Sequence, residues 1–183
     1  MEQEEKIKNE EYTNYINTHI KNVELMFNKY FIPLLNKENI SSKIDDKILK
    51  ETISNMGEQI KKHDSSKFSK EEFIFYRKKF YPTSLEKNNF NIQKNIKKDF
   101  NKAWEHHYKN NPHHPFYWIE ENGNIKNMSL NYIIEMICDW LAMSFYFKSN
   151  FKNWLNNANE EKNAMTTYTK ELVYEILFNI LKI

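Results

Sequence analysis

An all-α fold is what this sequence predicts, on two observations. Apolar residues recur at helical spacing in one segment after another, and the chain holds only 2 Gly and 4 Pro in 183 residues. Tight hairpins need glycine at positive φ, so a chain this poor in it is unsuited to an all-β fold. The length suffices for one domain with a real core, and hydrophobic residues at 40% and aromatics at 15% can fill it. The expectation is a single helical domain over residues 1–183, a bundle of about six to seven helices.

The first helix is predicted over Lys8 to Tyr30, with Ile16, Ile20, Val23 and Phe27 on one stripe. His19 lies beside that stripe and should point toward the core. Pro33 ends the segment. A second helix runs from Asp45 to Lys62 on Ile48, Leu49, Ile53, Met56 and Ile60, and His63-Asp64 falls at its end. Ser69 followed by Glu72 reads as a capping box opening a third helix that carries Phe73, Tyr76, Arg77 and Phe80 and stops at Pro82. Thr83 to Asn91 reads as loop. A fourth helix covers Gln93 to Lys109, after which Pro112 and Pro115 interrupt. Glu121 to Asn127 reads as a polar loop. Ser129 is placed to cap a central helix, Trp154 sits in a short helix or turn, and a last helix spans Thr167 to Leu181.

Charge excludes some functions. With 27 basic and 25 acidic residues the net charge is +2, which carries no strong nucleic-acid signal. One cysteine, Cys138, excludes an intrachain disulfide framework and fits a reducing compartment. The start, MEQEEKIKNEEY, is charged and lacks an apolar signal segment. The expected location is cytoplasmic, the host cytoplasm for a viral protein. Leu130 to Phe147 is near the lower length for a membrane span. Glu135 and Asp139 at its middle would be costly in lipid, so it reads as a buried central helix, with no membrane partner.

The six histidines are His19, His63, His106, His107, His113 and His114. One lies on an apolar helix face, one at a helix end, and the rest in two HH pairs. Imidazole is the commonest protein metal ligand, and carboxylates complete sites for divalent ions. The spacing is not that of a zinc finger, so a site here must be assembled from several helices, as bundles do. Singly, each feature has a plainer reading: His19 as a core histidine, His63-Asp64 as a helix C-cap, His113-His114 as exposed loop. Glu135 and Asp139 share one helix face. Carboxylates on an apolar helix need a metal, a proton or a cation such as Lys67 or Arg77. One metal site accounts for five histidines and two acids more economically than separate accidents.

These residues resemble a known pattern. A histidine on the first helix, a His-Asp pair ending the second and an aspartate on a later helix are similar to the HD-domain metal-dependent phosphohydrolases. Here they are His19, His63-Asp64 and Asp139, and the HDSSK run resembles the HD-x-x-K form. The string HDSSKFSKEEF, AWEHH, NPHHPFYW and EMICDW further resembles that of a group of phage and bacterial HD-like proteins with no assigned reaction. The string covers residues 63 to 140.

The resemblance implies an HD-like fold and one or two divalent ions, of Mn, Fe, Co, Ni, Zn or Mg. The implied ligands are His19, His63, Asp64 and Asp139, with His107 and His113 or His114 serving a second ion; His106 is the unmatched neighbour. It implies a phosphohydrolase acting on a nucleotide or other small phosphate ester, in which metal-activated water attacks phosphorus. Asp64, Lys67 and Glu135 are the implied catalytic groups: Lys67 stabilises phosphoryl charge, and Glu135 is a general base or an acceptor that orients an imidazole. Phe116, Tyr117 and Trp118 either stack on a base or pack the core. Relatives of this type often dimerise, so a homodimer is an expected partner. Two alternatives stay open: a binuclear iron oxygenase of HD type, and a non-catalytic, metal-stabilised phage or host interaction protein. With two glycines, there is no phosphate-cradling Gly-rich loop.

Overall fold

A computed structural model describes every residue except Met1 and Ser41. It is all-α. Among the described residues no strand occurs, only an isolated antiparallel bridge between Ile119 and Ile125. Gly123 turns that segment at φ 83°. The α-helices are α1 (Glu2–Tyr30), α2 (Asp46–Ser54), α3 (Gly57–Lys61), α4 (Phe73–Phe80), α5 (Ser84–Asn88), α6 (Phe90–Asn110), α7 (Leu130–Tyr146), α8 (Phe151–Asn157), α9 (Asn159–Asn163) and α10 (Thr167–Tyr174). Helix α7 holds Glu135 and Asp139 as its only charges and is the predicted central helix. No described helix is long and apolar enough to cross a membrane.

The chain divides into two compact units. Unit 1 is residues 1–18 and 64–111, and unit 2 is residues 19–63 and 112–183. In unit 1, α4 and α5 pack on α6. Its interior is aromatic and partly ionic. Tyr12 lies 5.2 Å from Phe73, and Tyr76 5.0 Å from Phe100, ring centre to ring centre. Arg77 is fully buried and bonds Glu86 Oε1 at 2.9 Å. Unit 2 has a hydrocarbon core. Val23, Phe27, Leu49, Ile53 and Ile60 meet Ile133, Ile134, Ile137 and Leu141 of α7, with Ile176 and Leu177. Helix α7 is buried almost all round, which explains its near-unbroken apolar sequence.

Five local expectations are corrected. The predicted second helix is two helices, because Asn55 and Met56 sit near φ −90°, ψ 0° and α3 restarts at Gly57. The Ser69–Glu72 capping box does not form. Ser69 closes a 3₁₀ turn over Ser65–Phe68, and the Glu72 side chain is used elsewhere. The true capping box lies in the segment read as loop. Thr83 accepts from the Glu86 amide, and Glu86 accepts from the Thr83 amide, opening α5. Ser129 is the N-cap of α7 but makes no side-chain cap bond. The last helix leaves α geometry at Glu175, where a π-helical turn runs to Ile180.

Candidate metal centre

In unit 2, α1 supplies His19. Ile16 and Val23, three residues before and four after, are both fully buried, so the helix turns His19 inward with them, to 3% exposure. His63 follows α3, and Asp139 and Glu135 project from one face of α7, a turn apart. His19 Nε2 lies 3.1 Å from Asp139 Oδ1 and 3.3 Å from His63 Nε2, and His63 Nε2 lies 3.9 Å from Asp139 Oδ1. Ligand atoms about 2.0–2.1 Å from one ion stand roughly 2.9–3.4 Å apart in octahedral or tetrahedral arrangement. Two of the three separations fall in that range, and the third is wider by about 0.5 Å. The donor set, two imidazoles and a carboxylate, suits a divalent transition ion.

Glu135 decides how His63 presents itself. Its Oε1 lies 2.8 Å from His63 Nδ1 and 3.3 Å from His113 Nδ1, and its Oε2 accepts from Gln59 at 2.6 Å. Gln59 is steadied in turn by Asn131. An ionised carboxylate only accepts, so the His63 proton belongs on Nδ1 and the Nε2 lone pair faces His19 and Asp139. Burial pushes the Glu135 carboxyl up, but the hydrogen bonds from His113 and His63 outweigh it and bring it down to about 2. Glu135 is therefore a weak base and a good orienting acceptor.

The loop after α6 brings His113 beside this cluster. Its ring centre is 4.4 Å from that of His63 and 4.2 Å from that of His114. Pro112 and Pro115 keep the loop out of helix, and Trp118 Nε1–H pins it by donating to the Pro112 carbonyl at 2.8 Å. His113 is 2% exposed, and His114 is half-buried. Trp118 packs against the core while Tyr117 is exposed.

Unit 1 holds a second cluster. Asp64 takes the left-handed conformation, φ 55°, which aspartate tolerates better than most residues. The 3₁₀ turn that follows brings Lys67 Nζ to 2.6 Å from Asp64 Oδ2. Lys67 thus serves Asp64 first. His107, 1% exposed on α6, faces Asp64 Oδ1 through Nε2 at 3.2 Å and Glu72 Oε2 through Nδ1 at 2.8 Å. Burial disfavours the charged ring, but Asp64 and Glu72 overcome it and raise the His107 pKa above the usual histidine value. His106 Nδ1 takes the other oxygen, Glu72 Oε1, at 2.8 Å. Asn111 Nδ2–H donates to Ser66 Oγ at 2.7 Å and to the His107 carbonyl at 2.7 Å.

The structure brings His19, His63 and Asp139 together, places His113 with His63 and Glu135, and joins Asp64, Lys67 and His107 in unit 1. The cations suggested for the acids of α7 are engaged in unit 1: Lys67 with Asp64, and Arg77 with Glu86 and Glu5. Sequence reasoning missed Glu72, Gln59 and Asn111. Glu72 could have been found as an acid inside the HDSSKFSKEEF run, had its spacing from Ser69 not suggested a cap.

No curated protein and no solved structure matches the chain. A family model described as a family of unknown function (DUF5662) matches residues 8–181. That match runs from α1 through the π-helical turn and takes in both clusters, so the chain belongs to the DUF5662 family.

Proposed function

We propose that the protein is a metal-dependent phosphohydrolase acting on a nucleotide or other small phosphate ester. One observation carries the reading. His63 is held by Glu135 in the tautomer whose Nε2 faces His19 Nε2 and Asp139 Oδ1, at separations close to those of ligands sharing an ion. His19, His63 and Asp139 would hold a divalent ion, for which Mn, Fe, Co, Ni, Zn and Mg are all candidates. Such an ion lowers the pKa of a bound water and stabilises charge on a phosphoryl oxygen.

The protein's own residues do the rest. Glu135 fixes the His63 ring and also holds His113. In unit 1, Asp64 and His107 are a second carboxylate–imidazole pair, suited to hold a cation or accept a proton. Lys67 balances Asp64 and supplies positive charge for a phosphate oxygen. The resemblance of the HDSSK run to the HD-x-x-K form of HD-type phosphohydrolases favours phosphate esters as the substrate class.

The test is a panel of phosphomonoesters and phosphodiesters offered to protein reconstituted with each ion, alongside elemental analysis. Hydrolysis that disappears in His63→Ala and Asp139→Asn is expected. Full metal loading with no turnover on any ester would sink the hydrolase reading. Failure to load any ion would sink the metal site itself.

A further inference from the structure

We propose that Glu72 is a positioning residue for a cation held by Asp64 and His107, and that His106 is the anchor that keeps Glu72 in place; this rests on the metal-dependent reading above. Glu72 is fully buried, and a buried carboxylate must be paired or hydrogen-bonded. Two of its partners are histidines from one turn of α6, and Ser66 adds a third hydrogen bond. Neighbouring residues on a helix diverge by about 100° and do not face one another. Yet His106 Nδ1 and His107 Nδ1 both reach this one carboxylate, each at 2.8 Å and each on a separate oxygen. The last turn of α6 is therefore clasped around Glu72.

The clasp has a chemical consequence at His107. With Nδ1 committed to a carboxylate, Nε2 is the atom left for ligation, and it points at Asp64 Oδ1 from 3.2 Å. A carboxylate behind a ligating imidazole fixes the ring's orientation and raises its basicity. Asn111 Nδ2 and Ser66 Oγ crowd the same Nδ1, at 3.2 and 3.3 Å, and Asn111 also bonds Ser66 and the His107 carbonyl, so that edge of the ring is enclosed. His106 is different in kind. Its side chain is 35% exposed, and its contact with Glu72 gives it a role without making it a ligand. That accounts for an HH pair of which only one member turns inward.

Co²⁺ titrations followed by calorimetry and visible absorption test this on the full chain. His63→Ala marks the event belonging to unit 2, and His107→Ala marks the event belonging to unit 1. Glu72→Gln can accept from only one of the two imidazoles. It should weaken the His107-dependent event roughly 10–100-fold and leave the His63-dependent event unchanged. In the Zn²⁺-loaded protein, the far-downfield Nδ1–H proton resonance of His107 should shift upfield in the same variant, because a neutral amide oxygen is a weaker acceptor than a carboxylate. His106→Ala, at a partly exposed position, keeps the question open to test if Glu72→Gln does not fold. It should give a smaller loss in the same event, whereas a merely structural His106 would leave Co²⁺ affinity untouched.

Unchanged His107-dependent affinity in Glu72→Gln, or in His106→Ala where that variant decides, overturns the proposal. So does a wild-type protein with the His63-dependent event alone, which would leave the unit 2 site standing. Absence of both events would overturn the metal-dependent reading and this proposal together.

Discussion

His63 in unit 2 and His107 in unit 1 each set Nδ1 against a buried glutamate at 2.8 Å, Glu135 and Glu72 respectively. In front of the two rings the arrangements part. His63 Nε2 faces a second imidazole, His19, and a carboxylate, Asp139. His107 Nε2 faces Asp64, whose other oxygen already takes Lys67 at 2.6 Å. The unit 2 cluster sets two imidazole nitrogens against one carboxylate oxygen. The unit 1 cluster is largely balanced by its own charges. A ligand histidine needs a carboxylate behind it in either setting. What lies in front decides how strongly an added cation is drawn.

The surroundings differ in the same sense. Unit 2 carries its cluster beside a hydrocarbon core, with Ile133, Ile134 and Ile137 fully buried on the same helix as Glu135 and Asp139. Unit 1 encloses its cluster in aromatic rings and an ion pair. Tyr76 and Trp104 both lie 5.7 Å from His107, ring centre to ring centre. Burial together with the charge of Asp64 and Glu72 pushes the phenols of Tyr12 and Tyr76 far above the ordinary range, so both stay protonated.

The largest expected effect separates the clusters by ligation. His63→Ala should lower cation affinity in unit 2 by more than about 100-fold, beyond the effect of removing an orienting partner. Glu135→Gln should cost roughly 10–100-fold at the same event. Calorimetric titration reads both. Equal affinities in the two variants would show that Glu135 does more than orient.

The next effect contrasts the two interiors. Arg77→Met leaves Glu86 without its guanidinium and should destabilise by about 3–5 kcal/mol in urea unfolding. Ile137→Ala in unit 2 opens a cavity and should cost about 2–5 kcal/mol. A negligible Arg77→Met effect would show that the unit 1 ion pair is replaceable by hydrocarbon.

Acid should sharpen the contrast further. The folded pKa of Glu135 is lowered from 4.5 to about 2. Its stabilisation is complete above the unfolded value and is lost as pH falls through that window. Unfolding free energy of the metal-free protein should therefore decline between those pH values, with a shallower decline in Glu135→Gln. Parallel slopes would remove Glu135 as a source of acid sensitivity.

The smallest effect concerns caps. Thr83→Ala breaks a formed capping box and should cost about 1 kcal/mol, while Ser129→Ala removes no cap bond and should be near neutral. Urea midpoints measured side by side decide it. Equal losses would contradict the assignment of the cap to Thr83.

Much of this was legible in the chain. The stripe Ile16, Ile20, Val23, Phe27 implied α1 with His19 turned inward. The apolar run through Ile133, Ile137 and Leu141 implied a buried α7 that needed partners for Glu135 and Asp139. Period and hydrophobicity are local properties, so they survive in a one-dimensional reading. Glu72 was not legible. The spacing of Ser69 and Glu72 satisfies a capping pattern, but a cap contributes only about 1 kcal/mol. A fully buried carboxylate with two imidazoles in reach pairs with them instead.

The sequence by itself determined the helical class, the inward turn of His19, and the placing of two acids a turn apart on the central helix, because backbone periodicity dictates which residues share a face. Only the tertiary structure decided that Glu135 stands behind His63 and that Glu72 is gripped by His106 and His107. Which buried charge meets which partner depends on distances across 76 residues between Gln59 and Glu135 and 35 between Glu72 and His107. No local pattern encodes those distances. The energy of leaving a buried polar group unpaired enforces the pairings only once the helices have packed.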